Sequence, residues 1–230
     1  MMSDIILKCE CVTKVYKQGE GSVYALRDVG LSVKKGSFVL IVGRSGSGKS
    51  TLLNILSGFD KPTSGKVYID NIELNSASEK DMVKLRQEKI GFVFQSFNLL
   101  PILTAAENIV SPMLIARREW SADYFNMLTE KLGLTKRLNH LPAEMSGGEC
   151  QRTAVARALI GKPSVLFADE PTGNLDKASS NELVEILKTA NRELGQTIVM
   201  VTHDDTLIPL ADIVYRISDG EISEISVNEK

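Results

Sequence analysis

The chain has 230 residues, 24% of them charged, and a net charge of −2, which gives length for one large domain or two small ones and no strongly basic field of a nucleic-acid binder. No apolar run approaches the roughly 18 residues that a membrane span needs, and Met1 to Ile6 lacks the basic start and longer apolar stretch of a signal peptide, so a cytosolic chain is expected. Cys9, Cys11 and Cys150 are odd in number and lack disulfide or zinc spacing, so they read as reduced thiols.

In chain order, Ile5-Ile6-Leu7 and Val29 to Val33 are β-type runs separated by the turn Gln18-Gly19-Glu20-Gly21-Ser22, which predicts an antiparallel flap. Cys9 and Cys11 are expected on one face of its first strand, as packing groups in preference to metal ligands. Tyr16 offers a ring that either stacks on a purine base or packs as an ordinary surface aromatic. Phe38 to Val42 is an uninterrupted apolar run suited to a buried parallel strand. It leads into Gly43-Arg44-Ser45-Gly46-Ser47-Gly48-Lys49-Ser50, which fits G-x-x-x-x-G-K-[ST] at every fixed position. The glycines let successive backbone N–H groups turn inward around phosphate oxygens with no Cβ in the way. Lys49 adds a positive point charge for the β and γ phosphates, and the Ser50 hydroxyl suits Mg²⁺. The helix through Leu52 to Leu56 presents its positive end to the same anion.

Beyond the turn Lys61 to Gly65, the sequence predicts a strand at Lys66 to Ile69, a polar helix at Glu79 to Glu88, and a buried strand at Ile90 to Phe94 that ends at Gln95. From Phe97 to about Gly161 the pattern is helical. Thr104-Ala105-Ala106-Glu107 is a helix-start signal, Ala122 to Leu132 a second helix, and Met145-Ser146-Gly147-Gly148-Glu149 a turn before the helical run Cys150 to Ile160. The α/β rhythm then resumes with the strand Val165 to Ala168, capped by Asp169-Glu170. A helix follows with Leu183, Ile186, Leu187, Ala190 and Leu194 on one face. The strand Thr197 to Thr202 ends at His203, and Asp219-Gly220 joins Ile213–Ile217 to Glu221–Ile225 as a hairpin.

In open α/β sheets ligands sit at the carboxyl ends of strands, which singles out Gln95, Asp169, Glu170 and His203. An aspartate supporting Mg²⁺ beside a carboxylate that polarises water suits phosphate hydrolysis. Taken singly, the acidic pair is equally a turn or helix cap, the histidine a structural group, and the glutamine uninformative. Their joint occurrence beyond successive strands of a sheet with a phosphate loop favours the site.

Taken together, the loop Gly43 to Ser50, Gln95 after Val93-Phe94, Met145-Ser146-Gly147-Gly148-Glu149, Val165 to Glu170, the turn Asn174-Leu175-Asp176 and His203 resemble the ATP-binding-cassette (ABC) ATPases over nearly the whole chain. The resemblance implies an α/β P-loop NTPase with a mostly parallel core sheet, an N-terminal antiparallel β flap and an inserted helical subdomain. It implies one domain, with 1–95 and 162–230 as nucleotide-binding core and about 96–161 as the helical part carrying the Ser-Gly-Gly signature. It further implies ATP and Mg²⁺ as ligands and a head-to-tail dimer. Each ATP would rest on Gly43 to Thr51 of one subunit and be closed over by Ser146, Gly147 and Gly148 of the other. By the same comparison Tyr16 stacks on adenine, Ser50, Gln95 and Asp169 serve Mg²⁺, Glu170 is the general base, and His203 contacts the γ-phosphate. The signature reads Met-Ser-Gly-Gly-Glu where Leu-Ser-Gly-Gly-Gln is commonest, and Glu149 is expected to point away from ATP.

The stretches Gly91 to Pro101 and Asp169 to Asp176 look like the subgroup of lipoprotein-release, macrolide-export and antimicrobial-peptide-resistance ATPases, with cell-division cassettes close by. That likeness implies a separate transmembrane permease and a place at the cytoplasmic face of the membrane, while the charge balance leaves no nucleic-acid partner expected. Phe97, Leu99 and Leu100 read either as contacts for the permease's cytoplasmic helix or as helical-subdomain core. The alternative functions are a soluble cassette in protein remodelling or cofactor assembly, or a cell-division cassette with a signalling role.

Overall fold

Over residues 4–19 and 21–227, which the computed structural model describes, the chain forms ten strands and six α-helices. Met1 to Ser3 of the N-terminal reading and Glu20 of the first turn lie outside the described residues. The flap strands β1 (Ile5–Gln18) and β2 (Gly21–Lys34) are antiparallel, as expected. With β4 (Ser64–Ile69) and β5 (Ile72–Glu73) they form a four-stranded sheet in the order β2-β1-β4-β5. Each flap strand is far longer than its apolar run, because polar and exposed residues continue the ladder beyond it.

One expectation about the flap fails. The register shifts between Cys9 and Val12, and Cys11 has φ 49°, so the bulge reverses the alternation of side chains. Cys9 is 2% exposed whereas Cys11 is exposed, so the two do not share a face. Burial pushes the Cys9 thiol up to about 12, leaving an inert packing group whose S–H faces the Val29 carbonyl. Gly65 makes room for the bulge: a Cβ there would lie 2.4 Å from the Cys11 oxygen.

The second sheet contains β3 (Phe38–Val42), β6 (Ile90–Val93), β7 (Val165–Asp169), β8 (Thr197–Thr202), β9 (Ile213–Ser218) and β10 (Glu221–Val227), ordered β10-β9-β3-β8-β7-β6. Every pairing is parallel except β9 with β10. Side chains alternate across it: Val39, Ile41, Val165, Phe167, Val199 and Val201 join the core shared with the flap. Leu40, Val42, Leu166, Ala168, Ile198 and Met200 join the core on the opposite face. Burial on both faces is why these strands read as continuous apolar runs.

The helices are α1 (Lys49–Leu56), α2 (Glu79–Lys89), α3 (Ala105–Ile115), α4 (Ala122–Lys131), α5 (Gly147–Leu159) and α6 (Lys177–Leu194). Ser78, Thr104, Ser121, Ser146 and Asp176 each cap a helix start with a side-chain oxygen, and Thr104 with Glu107 forms a full capping box. Helix α5 begins at Gly147, three residues before the predicted start, because Ser146 caps it. Leu183, Leu187 and Ala190 bury the inner face of α6, and Gly195 ends it at φ 64°. Among the described residues no helix is long and apolar enough to cross a membrane.

Register places the site. Val42 lies opposite Thr202, Val201 opposite Asp169, and Ala168 opposite Val93. The chain therefore leaves β3, β6, β7 and β8 along one edge of the sheet, delivering Gly43, Gln95, Glu170 and His203 to a common rim.

Candidate nucleotide site

The phosphate loop follows from its glycines. Gly46 has φ 79° and Gly48 φ 104°, which side-chain-bearing residues adopt only at a cost. A Cβ on Gly43 would lie 2.3 Å from the Ile217 oxygen, and one on Gly48 2.5 Å from the Ala25 oxygen. The C-terminal hairpin buttresses the loop: Gly220 N–H donates to Ser47 O at 3.1 Å, and Gly220 O accepts from Arg27 N–H at 2.8 Å. Arg44, Ser45 and Gly46 are exposed at the rim. Together with His203 and Arg216 to Asp219 they border a cleft of about 870 Å³, within the size range of small-molecule sites.

Helix α1 starts at Lys49 with no side-chain cap, so its first-turn N–H groups are left for an anion. Ser47 Oγ is buried with no hydrogen-bond partner among the described residues. A buried hydroxyl without a partner fits a loop shaped to receive phosphate oxygens. The Lys49 ammonium donates to the carbonyls of Gly43 and Arg44, both at 2.9 Å, and lies 3.6 Å from Glu170 Oε1. Ser50 Oγ donates to Asp169 Oδ1 at 3.0 Å. A hydroxyl and a carboxylate joined at that distance are hard oxygen donors of the kind Mg²⁺ takes.

Glu170 is the centre of the arrangement. Its Oε2 lies 2.8 Å from His203 Nδ1 and its Oε1 faces Lys49. Its backbone has φ 41°, a left-handed conformation that costs about 1–3 kcal/mol in a residue with a side chain. Three contacts hold it: Glu170 N–H to Val201 O at 3.0 Å, Gly173 N–H to Glu170 O at 2.9 Å, and Gln151 Nε2 to Pro171 O at 3.0 Å. At about 1 kcal/mol each they match the strain. Burial raises the neighbouring Asp169 carboxyl above its ordinary value; Ser50 opposes the shift, Glu170 adds to it, and Lys49 opposes it.

The remaining predicted residues lie around this centre. Gln95 is exposed and borders the turn after Glu170: a Cβ on Gly173 would lie 2.8 Å from its Nε2, and Asn174 Nδ2 donates to its carbonyl at 3.1 Å. Tyr16, 42% exposed, donates its phenol to Asp60 Oδ2 at 2.8 Å, and Lys14 Nζ sits 4.8 Å from the ring centroid. Thr51 lies within hydrogen-bonding reach of the same phenol. Gly147 neighbours Phe97 and Leu175, Gly148 neighbours Ser179 and Arg152, and Ser146 caps α5, so none of the three contacts the residues of this centre directly. Glu149 turns back from the helix end: its Oε2 accepts from Ser146 N–H at 2.8 Å and its Oε1 meets Arg137 Nε at 2.6 Å.

Three contributors escaped the sequence reading. Gly220 and Ala25 act through backbone groups, which leave no residue-type signal. Gln151 is a buried amide flanked by Glu149, Cys150, Arg152 and Thr153 in a helical run, where nothing in the local composition marks it. Glu149, already expected to point away from ATP, carries a signal for its capping role, since Ser146-Gly147-Gly148-Glu149 matches the same S/T-x-x-E pattern that located α3.

Residues 26–173 match the family described as ABC transporter. An uncharacterized ABC transporter ATP-binding protein of Methanocaldococcus jannaschii, MJ0796, is 44% identical over 228 residues, covering 94% of this chain and 95% of its own. The lipoprotein-releasing system ATP-binding protein LolD of Francisella tularensis is 41% identical over 230 residues, covering 99% of both. A solved dimeric, post-hydrolysis structure of the MJ0796 cassette bound to ADP and Pi superposes with a TM-score of 0.87 at 42% identity, covering 98% of this chain and 100% of that one. With its phosphate loop, its strand-end carboxylates and these likenesses in agreement, the chain belongs to the ABC transporter family as an ATP-binding cassette ATPase.

Proposed function

We propose that this chain powers a separate membrane permease of the export, lipoprotein-release or antimicrobial-peptide-resistance kind by closing on ATP as a head-to-tail dimer and reopening after hydrolysis. Its likeness to LolD along both chains supports the subgroup, and the dimeric MJ0796 structure with ADP and Pi supports the assembly. Residues 1–95 and 162–230 would form the nucleotide core, with about 96–161 as the helical subdomain. Attachment to the permease would hold the subunit at the cytoplasmic face of the membrane. Leu100 is exposed and Phe97 and Leu99 are half-buried, outside both hydrophobic cores, which favours them as docking contacts for a permease helix.

In this reading the Gly43 to Thr51 loop receives the β and γ phosphates on backbone N–H groups and the Lys49 ammonium. Tyr16 supports the adenine ring. Ser50, Asp169 and Gln95 would hold Mg²⁺, which would supply charge neutralisation at the phosphate oxygens. Glu170 takes the proton of the attacking water, and His203, bonded to it, orients its carboxylate and reaches the γ-phosphate. Ser146, Gly147 and Gly148 of the second subunit complete the site with the positive end of α5. A phosphate facing two subunits binds the closed state more tightly than the open one, so ATP drives closure.

The observation that carries the reading is Glu170 seated between Lys49 at 3.6 Å and His203 at 2.8 Å. Glu170→Gln should lower hydrolysis at least about a hundredfold while ATP still binds, leaving a trapped ATP-bound dimer visible by light scattering. Hydrolysis at the wild-type rate would remove Glu170 from its role. Lys49→Ala should instead weaken ATP binding itself, and unchanged affinity would contradict the phosphate-loop assignment.

A further inference from the structure

Gln151 lies wholly buried in the second turn of α5, five residues beyond Ser146. Its amide nitrogen donates to Pro171 O at 3.0 Å and to Phe94 O at 3.4 Å. Those carbonyls belong to the residue directly after Glu170 and the residue directly before Gln95. Its amide oxygen is buried with no hydrogen-bond partner among the described residues. A half-satisfied buried amide is destabilising by itself, so an apolar residue would pack here at less cost unless the two donated bonds matter. They grip backbone that has reason to move. Glu170 sits at φ 41°, and its other backbone anchors, Val201 O and Gly173 N–H, come from the neighbouring strand and its own turn. Gln151 is the anchor supplied by the helix that begins at the signature.

We infer that Gln151 is a positioning residue for ATP hydrolysis, fixing the peptide units beside Glu170 and Gln95 so that the Glu170 carboxylate stays aimed at the attacking water. This rests on Glu170 being the general base. Without the two bonds the left-handed turn relaxes and the carboxylate leaves its line, while the phosphate loop, which Gln151 does not touch, keeps its hold on ATP. Displacements of about an ångström at a reacting group cost up to about a hundredfold in rate.

The test uses Gln151→Met in the full chain, since methionine matches glutamine in length and donates nothing. The kcat should fall about 10- to 100-fold with the KM for ATP within about twofold. In a Glu170→Gln background the same substitution should cause no further loss, because the group being positioned is already gone. Amide hydrogen exchange should quicken about tenfold at Gly173 N–H while α5 stays protected, a pattern that a merely destabilised helix would not give. Gln151→Asn keeps the amide but falls a methylene short of both carbonyls, so it should behave alike and serves if the methionine variant folds poorly. Wild-type kcat in these variants, a further loss in the Glu170→Gln background, or unchanged exchange at Gly173 would each overturn the inference. Wild-type hydrolysis by Glu170→Gln would instead remove the base assignment and this inference with it.

Discussion

Two adjacent carboxylates at the tip of β7 live under different constraints. Asp169 is held by Ser50 in a partly buried place, and burial raises its carboxyl above the ordinary value. A carboxyl raised by folding favours the folded state only while protonated, so its contribution is fully present below the unfolded value of about 3.9 and is lost as pH climbs through the folded one. At neutral pH the ionised Asp169 is therefore a cost. Asp169→Asn should raise the thermal midpoint of the nucleotide-free protein by about 2 °C at pH 7.5, discounted for water that still screens the site, with the gain vanishing near pH 3. The same variant should lose Mg²⁺-dependent hydrolysis, and scanning calorimetry beside a phosphate-release assay checks both. Much at this scale was legible in the sequence. Lys49, Ser50, Asp169, Glu170 and His203 meet as expected because parallel strands deliver their ends to one rim. Tyr16 was legible as a ring but not as a partner of Asp60, which lies 44 residues away.

Among the elements, α5 shows how one short pattern serves twice. Ser146 and Glu149 cap the helix reciprocally, and the same Ser-Gly-Gly run is proposed to meet a phosphate. The backbone N–H of Ser146, and then Arg137, hold the Glu149 carboxyl below its usual range. A carboxyl lowered by folding stabilises above its unfolded value of about 4.3, and that contribution disappears as pH falls through the folded value. Glu149→Gln keeps the capping geometry and gives up the charge, so its midpoint should lie within about 2 °C of wild type at pH 7. The two proteins should converge in acid, as thermal scans from pH 7 to pH 3 would show. The core strands β3, β7 and β8 were readable because both faces are buried and their apolar runs are unbroken. The flap was readable in kind but not in length or register. Its bulges at Cys11 and Asp28, both at positive φ, arise from pairing across the sheet and leave little mark in local composition.

For the whole molecule, the mostly parallel sheet is a plate with a core on each side, and its rim offers a phosphate loop whose proposed counterpart is the start of α5 in a second copy. Mixing two defective chains tests that geometry. Lys49→Ala keeps its signature, and Gly147→Asp keeps its phosphate loop; the Gly147 Cβ position meets Phe97 and Leu175 only at 3.6 and 3.7 Å, so the fold should survive. Each alone should be inactive, whereas an equal mixture should recover about a quarter of wild-type hydrolysis, since half the dimers would hold one intact site. A mixture as silent as its components would refute a site shared between subunits. The pairing of Glu149 with Arg137 at 2.6 Å also bears on time. Because the guanidinium cancels the carboxylate, a triphosphate approaching the proposed signature contact would meet a neutral cap, and encounter would not be slowed by repulsion. Without Arg137 the bare charge would delay engagement and shorten the embrace in dilute buffer, and salt would erase the difference as the screening length shrinks to about 3 Å at 1 M. The dwell of the closed pair, and so the duration of each stroke, would depend on a residue that touches no nucleotide.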